Sequence, residues 1–311
     1  MNNKHKSVLL YEAVDFLIKD TDGFYIDGTL GYGGHTSLIL EKLSKKGRLL
    51  GIDCDINAIE YCQRNINDKR FEAIHGNYSD CDIFMFERDK KADGILLDLG
   101  VSSPQFDDAD RGFSFRFDKP LDMRMDKSNN LTAEKIINTF SEKDLADIFY
   151  KYGEEKKSRI FAKRIIDMRK KNIHIKTTGQ LAKIAESIYG KRNKIHPATR
   201  IFQALRIKVN DELKRLTIIL DKMKDFLNPG ARIVIISFHS LEDRIVKNHF
   251  KHFSKGCICP PILPECRCGG LKYYKLITKK AVIPNEKEIS ANIRSRSAKM
   301  RVAEFIGDNS K

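Results

Sequence analysis

The chain has 311 residues, a formal net charge of +15, seven cysteines and no tryptophan. No apolar run is long enough to cross a bilayer, and no apolar stretch follows the polar start Met1-Asn-Asn-Lys-His-Lys, so neither a membrane protein nor a secreted one is expected. Seven cysteines in such a chain point to a reducing, cytoplasmic setting with free thiols or a metal rather than disulfides.

In chain order, 7–18 reads as a helix, and the short apolar run 23–27 reads as a strand ending in Asp27. The segment Asp27-Gly-Thr-Leu-Gly-Tyr-Gly-Gly-His-Thr36 follows, and then the helix-like stretch 37–44. Strand, glycine-rich turn and helix together are how an α/β sheet grips a nucleotide-like ligand at the carboxyl end of a strand. The spacing departs from the dinucleotide pattern G-x-G-x-x-G, since Thr36 stands at the third glycine. Asp27, at the strand end, would repel a diphosphate. It suits a cationic ligand bearing an amino acid, such as S-adenosylmethionine.

Further strands are expected at 48–53, 71–75 and 94–99, with helical stretches between them such as 56–65. This alternation predicts a doubly wound, mostly parallel α/β sheet. Asp53 ends the second strand, twenty residues after Gly33, where an acid bonds ribose hydroxyls. Asp55 reads instead as the cap of the next helix. His75-Gly-Asn-Tyr78 follows the third strand and offers a ring for an adenine, or a core-edge tyrosine. Asp98 ends the fourth strand in Ile95-Leu-Leu-Asp-Leu-Gly-Val-Ser-Ser-Pro104, with Gln105 next. A carboxylate there can hold the cofactor, accept a hydrogen bond from an amine being methylated, or both. An exocyclic base amine is a weak nucleophile, because its lone pair is delocalised into the ring, and an acceptor helps it react.

Residues 103–127 read as loop, and from 132 to about 208 only helices are expected, with apolar stripes at Leu145, Ile148 and Phe149, at Ile160, Phe161, Ile165 and Met168, and at Leu181, Ile184, Ala185 and Ile188. The α/β pattern then resumes: a helix over 211–227, a stop at Asn228-Pro-Gly, a strand over 231–237, a helix over 242–253 and a strand-like tail over 299–306. The expected division is therefore a sheet domain in two parts, 1–109 and 212–311, interrupted by an all-helical subdomain, 110–211, for substrate recognition. The formal charges of these three segments are −6, +11 and +10 in the order 1–109, 110–211, 212–311. Such segregation favours a polyanionic partner. The basic runs lie around Lys156–Arg159, Lys163–Arg164, Arg169–Lys171, Lys191–Lys194 and Arg294–Lys299. Beside Phe113, Phe115 and Phe117 they suit phosphate contacts with a stacked base, and Arg200 and Arg206 lie along a helix that could face a cleft.

His239, in Ser237-Phe-His-Ser-Leu-Glu-Asp-Arg244, is a candidate to relay a proton or touch the substrate, with a structural role as the alternative. Cys257, Cys259, Cys266 and Cys268 form two C-x-C pairs that could bind structural zinc, although zinc ribbons favour C-x2-C. No metal is assigned to the chemistry, and a homodimer is left open.

Assembled, Lys6-Ser-Val-Leu-Leu, the Asp27–His35 turn, Leu96–Gln105, Asp110-Arg-Gly-Phe-Ser-Phe, Pro120-Leu-Asp-Met-Arg-Met, Tyr152-Gly-Glu-Glu, His196-Pro-Ala-Thr-Arg and Ser237–Arg244 resemble the bacterial ribosomal RNA small-subunit methyltransferase H family, also called MraW. The resemblance runs from about residue 5 to about 305. It implies a class I, Rossmann-like methyltransferase that uses S-adenosylmethionine to methylate N4 of a cytidine in the decoding region of 16S ribosomal RNA. Carried over by motif, the cofactor contacts are Gly33, Gly34, His35, Asp53, Tyr78, Asp98 and Gln105. Tyr78 stands where Phe is common in the family, and Cys54 where Arg is common. Methylation of DNA amines is a second reading, but the Asp/Asn/Ser-Pro-Pro-Tyr/Phe signature is absent after the fourth strand. A non-catalytic RNA-binding factor is a third, and the set Asp27, Gly33, Asp53 and Asp98 argues against it.

Overall fold

The computed structural model describes residues 7–189, 196–256, 259 and 270–307. In chain order the helices and strands are α1 (Leu10–Leu17), β1 (Phe24–Asp27), α2 (Gly34–Lys42), β2 (Arg48–Asp53), α3 (Ile56–Asn65), β3 (Phe71–His75), α4 (Cys81–Phe86) and β4 (Ala92–Asp98). Helices follow: α5 (Ser103–Asp107), α6 (Ala133–Thr139), α7 (Glu142–Gly153), α8 (Ser158–Lys170), α9 (Thr178–Tyr189), α10 (Ala198–Asn210) and α11 (Glu212–Phe226). The chain ends with β5 (Leu227–Ser237), α12 (Ser240–Lys255), β6 (Tyr274–Leu276), α13 (Glu286–Ala291) and β7 (Lys299–Phe305).

These elements divide into two compact units, one of residues 1–100 with 213–311, the other of residues 101–212. The first break falls nine residues earlier than the sequence reading placed it, because Val101 and Phe106 pack on the apolar core of the second unit.

The first unit is the expected α/β fold. Its seven strands run in the order β3-β2-β1-β4-β5-β7-β6. Strands β1 to β5 pair in parallel, and β7 is antiparallel to both β5 and β6. Period-two alternation explains why the central strands are apolar throughout. Ile26, Leu50, Ile95, Leu97, Ile233 and Ile235 face a core shared with α11 and α12, through Leu216, Leu220, Val246 and Phe250. Tyr25, Leu49, Leu96, Val234 and Ile236 face the opposite core, with Ala13, Val14 and Leu17 of α1 and Ile39 and Leu40 of α2. Parallel pairing sets Asp27 opposite Gly51 and Asp98 opposite Ile236, so the strand-terminal acids share one sheet edge. Helix α11 ends at Phe226, just before Asn228-Pro-Gly as expected, but the strand begins at Leu227 rather than 231, so Asn228-Pro-Gly is part of it. There the pairing with β4 slips between Leu227 and Arg232, a bulge that admits a proline within a sheet.

The second unit is helical. Phe149 and Phe161 meet edge to face, 5.8 Å between centroids, inside a core of Ile136, Leu145, Ile165, Leu181, Ile201 and Leu205. Ser141 caps α7 by accepting from the backbone N–H of Asp144 at 3.1 Å. The segment 103–127 is more ordered than a loop. Ser102 and Gln105 form a capping box at the start of α5. The Arg111 guanidinium donates to the carbonyls of Arg124 and Met125, and Arg124 forks onto Asp122. Gly112, at φ +71, lies so close to Pro120 that a Cβ would come within 2.3 Å of its carbonyl oxygen. These bonds lock the two motifs Asp110–Phe115 and Pro120–Met125 together.

Candidate active site

Asp27 leaves β1 fully buried. Its carboxylate accepts from Thr36 Oγ1 at 2.8 Å and from the Thr29 N–H at 3.3 Å. The turn then needs left-handed backbone at Gly31 (φ +50) and Gly33 (φ +78), a conformation that glycine adopts without steric cost. Gly33 caps α2, and a Cβ there would press on Ile66 and Cys62. At Gly34 a Cβ would strike the Ser7 hydroxyl, so the N-terminal segment lies directly against the start of α2.

Asp53 reaches across from β2 to the same turn. It accepts from the Gly31 N–H at 2.7 Å and from the Asp55 N–H at 2.8 Å. Asp55 itself caps α3 through the Asn57 N–H. Tyr78 begins a short 3-10 turn after β3 and packs against the sheet core, with its Cβ close to Gly28.

Asp98 completes the edge. Its backbone N–H donates to Thr29 Oγ1 at 2.6 Å. Its side chain is 21% exposed, yet Oδ1 is enclosed without a hydrogen-bond partner among the described residues. The His35 ring is buried; Nε2 lies 3.2 Å from the Val8 carbonyl and Nδ1 3.9 Å from Asp98 Oδ2.

Three carboxylates close together and shielded from water resist ionisation. Burial pushes Asp27 up to about 6, against the relief from its Thr36 and Thr29 bonds, and Asp53 adds to the rise. Burial likewise pushes Asp53 up to about 6, opposed by its backbone hydrogen bonds. Asp98 is raised well above the ordinary carboxylate range by burial first, then by the charges of Asp27, Glu242 and Glu288. An enclosed oxygen without a partner and a glycine turn under concentrated negative potential fit a cationic ligand with hydroxyl and amine donors.

Two other sequence candidates are placed differently. His239 is the N-cap of α12: its Nδ1 accepts from the Glu242 N–H at 3.4 Å, and Glu242 Oε2 accepts from the Phe238 and His239 N–H groups. Its ring is buried in that capping box, with Nε2 3.1 Å from Glu242 Oε1, so the structural role the sequence offered as the alternative is present. Gln105 lies in the second unit, where its Oε1 accepts from the Ser102 N–H at 3.1 Å. Of the cysteine cluster, Cys257, Cys266 and Cys268 lie outside the described residues, as does the basic run Lys191–Lys194. Thr29 and Glu288 were not singled out in the sequence, and Thr36 only as the residue in the place of a third glycine. Only the threonine spacing within the turn carried a signal, since Glu288 joins the site from the far end of the chain.

In the second unit the expected stacking ring is not Phe115, which is stacked on His196 at 4.4 Å and meets Phe202 edge-on. Phe113 is buried, and Phe117 alone of the three is well exposed. Arg169 is also taken: its guanidinium donates to the carbonyls of Phe140 and Ile137, at the end of α6. Arg206 forks onto Glu212 at 2.9 and 3.0 Å, while Arg200 is exposed. On α8 the core-facing positions are Phe161, Ala162 and Ile165, which turns Arg159, Lys163 and Arg164 to solvent. Among the described residues no acidic side chain pairs with these three. Ile160, expected in the apolar stripe, is 55% exposed on the same face.

A parallel sheet flanked by helices, with an antiparallel β7 between β5 and β6 and an acid-lined glycine turn at its carboxyl edge, defines a class I methyltransferase that uses S-adenosylmethionine. Residues 2–306 match the model of the MraW methylase family, and the chain belongs to that family. Similar curated proteins include one from Fusobacterium nucleatum, 45% identical over 99% of this chain and 98% of its own length, and one from Halothermothrix orenii, 48% identical over 97% and 99%. A third, from Caldicellulosiruptor bescii, is 47% identical over 97% and 99%. Each is named ribosomal RNA small subunit methyltransferase H. No described helix is long and apolar enough to cross a membrane.

Proposed function

We propose that this protein methylates N4 of a cytidine in the decoding region of 16S ribosomal RNA, within the small ribosomal subunit and in the cytoplasm. The observation that carries this reading is Asp98: a carboxylate with one oxygen enclosed and unpartnered among the described residues, at the strand end beside the glycine turn. The names of the relatives and the solvent-facing cations of α8 support RNA as the substrate.

The residues that would hold S-adenosylmethionine in the sheet unit are Gly33, Gly34, His35, Asp53, Tyr78 and Asp98. The glycines bring the backbone close, Asp53 accepts from ribose hydroxyls, and Tyr78 offers a ring to the base. When bound, the cofactor supplies an electrophilic methyl group on a sulfonium centre. Its positive charge favours the ionised forms of Asp27, Asp53 and Asp98. Ionised Asp98 then accepts a hydrogen bond from the cytosine amine. As that nitrogen gains a methyl group and a positive charge its two protons grow acidic, and Asp98 is the base placed to take one of them, leaving N4-methylcytidine with a single N–H.

The raised acids make binding pH-dependent, with a definite sign. In the free protein Asp27 and Asp53 hold their protons up to about pH 6, above the ordinary value of 3.8. The fold therefore loses stability as pH rises from the ordinary carboxylate range through 6. A cation must displace those protons, so cofactor affinity should weaken as pH falls below 6, by up to about tenfold per pH unit for each acid that must ionise. Calorimetric titration from about pH 5 to about pH 8 should show this, with proton release that grows toward the acidic end. An affinity that stays level over the range would remove these two carboxylates from the cofactor site.

The substrate is tested with methyl-labelled cofactor and purified 30S subunits, naked 16S RNA or DNA, followed by nucleoside analysis. Label on N4-methylcytidine from 30S subunits is expected. Label on DNA alone, or on another nucleoside, would overturn the assignment.

A further inference from the structure

The glycine turn implies backbone contacts to a ligand, and the side chain of His35 is not needed for them. That ring is nonetheless buried, and it is held from two sides. Its Nε2 meets the carbonyl oxygen of Val8 at 3.2 Å, and a carbonyl can only accept, so Nε2 carries the hydrogen. In the neutral ring Nδ1 is then an acceptor, and it faces Asp98 Oδ2 at 3.9 Å, a gap that a small approach of the carboxyl group or one water closes.

Val8 is itself fixed. Leu9, although not glycine, has φ +51 and is buried, a strained conformation that persists only when its surroundings hold it. Its N–H donates to Glu288 Oε1 at 2.7 Å. Ser7 is pressed against Gly34 on the other side. A strained turn, a carboxylate from α13 and a close approach of chain to helix thus all serve to set one carbonyl oxygen against one ring nitrogen.

We propose that His35 is a positioning residue for Asp98: anchored by the Val8 carbonyl as the Nε2–H form, it offers Nδ1 as the acceptor that favours Asp98 in its protonated state. This rests on the reading of Asp98 as the group that takes the amine proton. Among the described residues the charged groups that raise Asp98 are acids, namely Asp27, Glu242 and Glu288, which oppose its charge but provide no fixed acceptor from a neutral ring. His35 therefore has a part in the proton's fate that the neighbouring carboxylates cannot play: it steadies the product of proton transfer in one orientation.

Two near-isosteric substitutions separate the ring nitrogens. In His35→Gln the side-chain amide reaches the place of Nε2, keeping the Val8 anchor and removing the group that faces Asp98. In His35→Asn the amide reaches the place of Nδ1, keeping an acceptor toward Asp98 and losing the anchor. The titration of Asp98 is read by carboxyl-carbon NMR of the full chain without cofactor or RNA, with Asp98→Asn identifying the signal. Its midpoint should fall in His35→Gln and recover at least half the difference in His35→Asn. With 30S subunits, kcat should fall about tenfold in His35→Gln with the KM for the cofactor unchanged. A midpoint that does not move in His35→Gln, or falls equally in both variants, overturns the proposal, as does a raised cofactor KM with kcat intact. Failure of the RNA reading appears separately, as a wild-type protein that labels no RNA while the Asp98 titration still responds to His35.

Discussion

Asp98→Asn should lower methyl transfer to 30S subunits by about 10²–10⁴-fold, the range expected when a positioned proton acceptor is lost. The substitution keeps the side chain's volume and removes a charge that burial and three neighbouring acids oppose. It should therefore raise the melting temperature of the free protein while abolishing turnover, a trade in which local instability serves function. Asp98→Ala should lose activity to the same degree, and cofactor binding should weaken in both variants if the carboxylate also holds the cofactor. Thermal melts, calorimetry and single-turnover transfer separate the three quantities. Undiminished turnover in Asp98→Asn would remove this residue from the chemistry.

Reversing the charge at Lys163 and Arg164 together should weaken association with 16S RNA at least about tenfold at low salt. The dependence of log K on log salt should flatten by about two, one phosphate contact per residue. Cofactor affinity should stay unchanged, since these side chains belong to the helical unit and the glycine turn to the sheet unit. The same reversal at Arg169 would act differently: its guanidinium holds the carbonyls at the end of α6, so that variant should lose stability rather than RNA alone. Filter binding across a salt series, with a melt of each variant, distinguishes the two. An unaltered salt slope in the Lys163 and Arg164 variant would move the RNA-binding surface elsewhere.

Much of the sheet was legible because its signals are local. Strands of a doubly wound sheet are short apolar runs ended by turn residues, and those that end at Asp27, Asp53 and Asp98 are told from the helices between them by length and period. A parallel sheet puts all such ends on one edge, so three acids far apart in the chain could be assigned to one place before any contact was known. The start of β5 was less legible, because Asn-Pro-Gly reads as a turn after the helix, and only pairing with β4 shows that the strand already begins at Leu227. The three-residue β6 carries too little pattern to be read at all.

What the sequence by itself determined is the fold class, the strand-terminal acids, the glycine-rich turn and a basic helical block within the chain. These depend on periodicity, backbone conformation and charge, which residues carry wherever they stand. Only the tertiary structure decided how the polar side chains are used. Phe115 stacks on His196, Arg206 is committed to Glu212, and His239 closes a capping box. Glu288 reaches Leu9 across 279 residues of sequence, and the His35 ring lies with Nε2 at the Val8 carbonyl and Nδ1 3.9 Å from Asp98. A side chain's partner is set by packing between segments remote in sequence, and no local pattern records which of several possible partners lies within 3 or 4 Å.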